Sequence, residues 1–119
     1  MAADLLKDKG YTILERNWKY KKLEVDIIAS NNKEIVFVEV KTRSSDLWMN
    51  PEDAVDLDKQ CNLTVAANAY ILSHHINLEP RFDVIAIVSN ASKQQITHIE
   101  NAFPPMSKSW EQKRRRNRY

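Results

Sequence analysis

A chain of 119 residues, 43% hydrophobic and 29% charged, is long enough to bury one core and too apolar for disorder, so a single small domain is expected. The net charge is only +2, and five basic residues against one acid in Glu111–Tyr119 concentrate +4 at that end, leaving about −2 for a body that is not basic overall. One cysteine, Cys61, excludes an internal disulfide, and no apolar run is long enough to span a bilayer.

The opening "MAADLLKDKG" lacks a signal-peptide pattern, so no membrane association and a reducing, cytoplasmic compartment are expected. Ala2 to Lys9 reads as a short helix with Ala2, Leu5 and Leu6 on one face and Gly10 as its stop. "YTILERNWKY" (Tyr11 to Tyr20) has strand character, and Leu23 to Ala29 and Glu34 to Arg43 are the clearest strands. The asparagines of the intervening "SNNK" tolerate positive φ, which makes the pair a hairpin. Asn50-Pro51-Glu52-Asp53 has the form of a helix start: a capping asparagine, proline at the first helical position, then acids at the positive end of the dipole. That helix is expected to run to Ser73 with Ala54, Val55, Cys61, Val65, Ala66, Ala69 and Leu72 as its apolar face. Arg81 to Ser89 is a near-continuous apolar strand covered on both faces, and Gln94 to Glu100 a final strand. The expected architecture is an α/β sandwich with a mixed sheet over residues 1–103. Pro104-Pro105 ends it, and a basic tail over 104–119 is either a phosphate-contacting arm or a plain solvated end.

Within "VFVEVKTR" (Val36 to Arg43), two charges interrupt a run that otherwise belongs in a core. Strand alternation puts Ile35, Phe37, Glu39 and Lys41 on one face and Val36, Val38 and Val40 on the other. On the partner strand Glu24 and Asp26 share a face, opposite Leu23, Val25 and Ile27. A loop at Asn31-Asn32 sets Glu24 across from Glu39, whereas a loop at Asn32-Lys33 sets Asp26 across from Glu39 and Glu24 across from Lys41. Either register gathers Glu24, Asp26, Glu39 and Lys41. Two converging carboxylates repel unless a cation lies between them, and a small set of hard oxygen ligands suits Mg²⁺ or Mn²⁺. A lysine two residues along stabilises charge growing on a phosphate. The pattern Asp-x12-Glu-x-Lys thus has a coherent reading as a metal-dependent phosphodiesterase; a cross-strand salt-bridge set at the solvent end of a strand is the plainer alternative.

Four segments, "GYTILERNWKYKKLEVDIIA", "VFVEVKTRSS", "PEDAVDLDKQ" and "RFDVIAI", resemble the YraN-like family of small bacterial proteins, and "ITHIENAF" fits its usual ending. The resemblance covers nearly the whole chain to Phe103. It implies the restriction-endonuclease-like three-layer sandwich of the PD-(D/E)xK nuclease superfamily, related in fold to archaeal Holliday-junction resolvases. It also implies that Asp26 and Glu39 are the metal-binding acids, that Lys41 is the catalytic lysine, and that Lys59 on the long helix touches DNA. The family's Gly-Glu-x-x-Ala motif in the first helix has no counterpart here. Its glutamate would precede Met1, so either the sequence starts late or the site lacks that acid.

Lys19, Lys21 and Lys22, interleaved with Trp18 and Tyr20, form a basic-aromatic patch that grips phosphates and stacks bases or is an ordinary solvated loop. Arg43 extends the basic set, Trp48 lies in the loop after the Glu-x-Lys strand, and His74-His75 suits a helix C-terminal cap better than a metal. Taken together, the expectation is an endonuclease hydrolysing DNA phosphodiester bonds with Mg²⁺ (or Mn²⁺), in branched or structured DNA. Asp26 and Glu39 hold the metal, Lys41 assists, and Glu24 supports the cluster. Junction cutting would imply a homodimer. A non-catalytic nucleic-acid-binding module on the same fold is the alternative.

Overall fold

The structure is a computed structural model that describes residues 1–43, 55–89 and 93–105. The Asn50-Pro51 helix start, Trp48 and the basic tail beyond Pro105 lie outside the described residues. In chain order the elements are α1 (Ala2–Asp8), β1 (Thr12–Tyr20), β2 (Leu23–Ser30), β3 (Glu34–Arg43), α2 (Leu57–Ser73), β4 (Glu79–Ser89) and β5 (Gln94–Phe103).

The strands form one sheet in the order β1-β2-β3-β4-β5. Every neighbouring pair is antiparallel except β3 and β4, which are parallel and joined through α2. A parallel pair requires such a crossover. One apolar cluster joins Ile28, Ile35, Phe37, Phe82 and Val84 to Leu63, Ala66, Ala67 and Tyr70 of α2. A second joins Val36, Val38, Ile85 and Ile87 to Ala2, Ala3 and Leu6 of α1. Helices therefore cover both faces of a mixed sheet, the α/β arrangement expected, and one consistent with a restriction-endonuclease-like sandwich.

Gly10 stops α1 because only a residue at ease with φ +94 closes the turn in which the Gly10 N–H bonds the Lys7 carbonyl and the Tyr11 N–H bonds the Leu6 carbonyl. The β2–β3 turn takes the Asn32-Lys33 alternative. Ser30 pairs with Ile35, the Asn31 N–H reaches the Glu34 carbonyl, and the Asn31 side chain accepts the N–H groups of Lys33 and Glu34.

Two expectations about α2 are corrected. The helix does not run unbroken from Pro51. Asp56 has extended backbone (ψ 170) and caps a helix beginning at Leu57, its side chain accepting the Lys59 N–H at 2.8 Å. The buried stripe also differs from the one the aliphatic spacing suggested: Val65 and Leu72 are 45% and 75% exposed, while Gln60, Leu63, Thr64, Ala67 and Tyr70 face the sheet alongside Cys61 and Ala66. Two members of that stripe are polar, which masks it in the sequence. Each has its bond within the helix region: Gln60 Nε2–H to the Val55 carbonyl (2.8 Å) and the Thr64 hydroxyl to the Gln60 carbonyl (2.9 Å).

Candidate functional site

Strict alternation on β2 fails at one place, and that place is Asp26. Leu23 and Val25 pack with the α2-side cluster, but Ile27 belongs to the α1 side. Their partners on β1 behave alike, since Trp18, opposite Val25, packs on the α2 side. The reversal falls between the pairs Trp18–Val25 and Arg16–Ile27, at Asn17 and Asp26, and Asn17 has φ +50. The β2–β3 ladder ends at the same level, at Ile27–Val38. Beyond it, Asp26 Oδ2 accepts the Val40 N–H at 2.8 Å, so a side chain satisfies a donor that the diverging strand no longer reaches. The expected face shared by Val25 and Ile27 is thus corrected, because the backbone turns over at the aspartate.

β3 stays regular and carries Glu39 toward α2. Glu39 is only 6% exposed, and a lysine stands at each of its oxygens: Lys41 Nζ 3.3 Å from Oε1 and Lys59 Nζ 3.8 Å from Oε2. The capped first turn of α2 is what holds Lys59 there. Burial pushes the Glu39 carboxyl up from its ordinary value and the negative charge of Asp26 pushes it further, while Lys59 and Lys41 pull the other way. The net direction is upward. Two carboxylates and two ammonium groups therefore meet at one half-covered spot.

Asp26, Glu39, Lys41 and Lys59 are brought together; the remaining expected residues are not all with them. Glu24 is exposed, pairs in register with Lys19 on β1, and forms no ion pair with Lys41. It lines a cleft of about 150 Å³ with Lys22, Leu23, Lys59, Asn62 and Leu63. Lys21 occupies the tight turn after β1 at φ +56, its ammonium 5.4 Å from the Tyr20 ring centre. Lys19 is exposed on the strand, and Arg43 ends β3 in register with Val88. The basic-aromatic patch is divided between strand and turn: Trp18, Lys19 and Tyr20 end β1, and Lys21 and Lys22 form the turn. Trp18 and Tyr20 are half-buried on the core edge, stacked at 6.1 Å, with Trp18 edge-on to Tyr70 at 5.1 Å. His74 does cap α2: its main-chain N–H bonds the Tyr70 carbonyl at 3.0 Å, and its ring stacks on Tyr70 at 4.0 Å.

Sequence reasoning missed a second polar cluster, on the α1 face. Asp83 is fully buried, yet its carboxylate accepts Arg81 Nε–H (2.9 Å) and Nη2–H (2.8 Å), the Asn101 N–H (2.9 Å) and a bond from His98 Nε2 (2.7 Å). Arg81 also reaches Glu34 (2.8 Å) and the Tyr11 hydroxyl (2.6 Å). Burial alone would raise the Asp83 carboxyl; the donors of His98, Arg81 and Asn101 outweigh it and hold it below its ordinary value. The register shift between β4 and β5, with Asn101 at φ +52, brings that N–H to the carboxylate. The available signal was an aspartate inside an apolar run with an arginine two residues before it, on the same strand face.

What fold and site define is a three-layer α/β protein with a two-carboxylate, two-lysine cluster where its central hairpin splays apart. The chain belongs to the UPF0102 family: the model described as "Uncharacterised protein family UPF0102" matches residues 1–87. It is similar to a UPF0102 protein of Flavobacterium psychrophilum, 44% identical over 103 residues that cover 87% of each chain. It is likewise similar to one of Bacteroides thetaiotaomicron, 42% identical over 104 residues, 87% of this chain and 86% of the other. A third, of Caldanaerobacter subterraneus subsp. tengcongensis, is 45% identical over 107 residues, 87% of this chain and 88% of the other. Among the described residues no helix is long and apolar enough to cross a membrane.

Proposed function

We propose that the chain is a metal-dependent endonuclease of the PD-(D/E)xK type that hydrolyses DNA phosphodiester bonds, with branched or structured DNA among its candidate substrates. The observation that carries this reading is Glu39, nearly buried beside Asp26 with an ammonium at each oxygen. Charges gathered in a partly dry place are costly, and such sets concentrate at functional sites.

The donor set fits a hard divalent cation. Asp26 uses Oδ2 for the Val40 N–H and has Oδ1 left over, and Glu39 holds its lysines at 3.3 and 3.8 Å, long enough to yield to a ligand. Asp26 and Glu39 would hold Mg²⁺ or Mn²⁺, which when bound supplies a Lewis acid and a water of lowered pKa. Lys41, on the same strand face as Glu39, would stabilise negative charge developing on the phosphate. The Val40 N–H fixes the Asp26 carboxylate through Oδ2. Cutting both sides of a junction needs two such sites, and so a homodimer.

The test is incubation with linear, flapped and four-way-junction DNA in Mg²⁺ or Mn²⁺, with Lys41→Ala and Glu39→Ala in parallel. Metal-dependent cleavage that drops by about 100-fold or more in both variants is expected. Cleavage persisting in both would trace to a contaminant and reject the reading.

A non-catalytic nucleic-acid-binding module is the second reading. Two observations favour it. Lys41 and Lys59 already balance Glu39, and among the described residues no three His, Cys, Asp or Glu side chains converge as a metal site. It predicts DNA binding indifferent to chelation and no cleavage.

A further inference from the structure

The cleft between the β1–β2 hairpin tip and α2 adjoins the carboxylate cluster through one residue, Lys59. Its side chain lines the cleft and also stands 3.8 Å from Glu39. With Lys22, Asn62 and Glu24, the cleft's polar lining carries two positive charges, one negative charge and an amide able to donate. Leu23 and Leu63 floor it. A net positive, donor-bearing concavity of this size suits a tetrahedral phosphodiester group better than a base, which would need a flat stacking wall.

Lys59 stands between two claims. At 39% side-chain exposure it has room to move, and at 3.8 Å its hold on Glu39 is a loose ion pair rather than a hydrogen bond. While it faces Glu39 it supplies the positive charge that a cation would otherwise supply. An anion in the cleft offers it another partner, backed by Lys22 and Asn62.

We propose that this cleft is a phosphate subsite for the nucleic-acid backbone, held by Lys22, Lys59 and Asn62, and that Lys59 exchanges Glu39 for the bound phosphate, thereby releasing the carboxylate to a divalent cation. Nucleic acid and metal then bind cooperatively, each raising the affinity for the other by the same factor. The inference rests on the assignment of Asp26 and Glu39 as metal ligands. It assigns Asn62 a role and makes Lys59 a positioning residue rather than a passive DNA contact.

Mn²⁺ titration by calorimetry, with and without a saturating short oligonucleotide shown intact afterwards on a gel, tests it in the full chain. For the unmodified protein the Mn²⁺ Kd is expected to fall about fivefold or more when the oligonucleotide is present. Lys59→Met keeps a good helix former, so folding is retained (circular dichroism checks this). Without DNA it is expected to bind Mn²⁺ more tightly than the unmodified protein, and with DNA to show little further gain. The pair Lys22→Met with Asn62→Ala leaves Mn²⁺ binding alone unchanged and weakens oligonucleotide binding, with a shallower salt dependence. Equal coupling in Lys59→Met and the unmodified protein, or Mn²⁺ binding no tighter in Lys59→Met, overturns the proposal. Glu39→Gln separates the two failures. Mn²⁺ heat lost in Glu39→Gln but indifferent to Lys59 rejects only this exchange, whereas heat that survives Glu39→Gln rejects the metal assignment and the exchange with it.

Discussion

Replacing Asp83 with alanine should be among the most damaging single changes in the chain, for reasons that can be worked through bond by bond. The carboxylate is fully buried and accepts four bonds, two from Arg81 and one each from His98 and the Asn101 main chain. Its removal strands those donors and leaves Arg81, 11% exposed in its side chain, with Glu34 at 2.8 Å as its close counter-ion. Breaking a buried ion pair from one side costs about 3–5 kcal/mol, and since Arg81 keeps Glu34 and Tyr11 the lower end applies. With an unfolding entropy of about 2.1 cal/mol/K per residue, 3 kcal/mol in a chain of this length is about 12 °C in Tm. Calorimetric melting with a urea titration measures it. A loss below about 1 kcal/mol would refute the reasoning, since the network would then be crossing solvent rather than core.

The sign of the pH dependence follows from the lowered Asp83 carboxyl. The unfolded chain binds that proton more readily than the folded one, so stability rises with pH through the acid range. The deficit of Asp83→Ala is therefore complete above the ordinary aspartate range, near pH 4, and shrinks as the pH falls through the folded value. The double change Arg81→Met with Asp83→Leu should cost less than the two single changes summed, because it removes both partners of the buried pair at once and the carboxylate it releases, Glu34, is a third exposed to water.

Other outcomes bear on the core and the site. Leu63→Lys, at a buried position on α2, should unfold the chain or cost about 3 kcal/mol or more, whereas Val65→Lys two residues on should stay within about 0.5 kcal/mol by urea titration. Equal effects would mean the helix face is misassigned. Glu39 shows the opposite linkage to Asp83. Its carboxyl is raised, so the folded chain holds the proton better and metal-free stability falls as pH rises above the ordinary glutamate range. Glu39→Gln should thus gain on the unmodified protein in chelator as the pH rises above the ordinary glutamate range, and saturating Mn²⁺ should reverse the order. A gap that does not change with pH would count against burial and Asp26 as the cause.

Much of this was legible in the sequence because its local signals agree. Gly10 stops α1, the Asn31 side chain builds the β2–β3 turn, and the valines of β3 alternate faithfully onto the α1 face. From these the mixed sheet and the approach of Asp26 to Glu39 follow. What alternation cannot convey is a strand that turns over. The change of face at Asn17 and Asp26 depends on a positive φ and on a side chain entering a main-chain bond, so Glu24 is carried to the cleft rather than to Lys41. On α2 the aliphatic residues at 65 and 72 suggested one face, while buried Gln60 and Thr64, satisfied locally, made the true one look polar. Asp83 stayed hidden in an apolar run because its partners come from β5 and from a bulge no pattern announces.

The claim at the centre is that Asp26 and Glu39 jointly hold a divalent cation. Anomalous diffraction from a crystal of the full chain grown with Mn²⁺ tests it directly. The prediction is one strong peak within ordinary metal–oxygen bonding distance of carboxylate oxygens from both residues, absent in Asp26→Ala. Full occupancy at other residues with none between these two, or an unchanged peak in Asp26→Ala, would contradict the account.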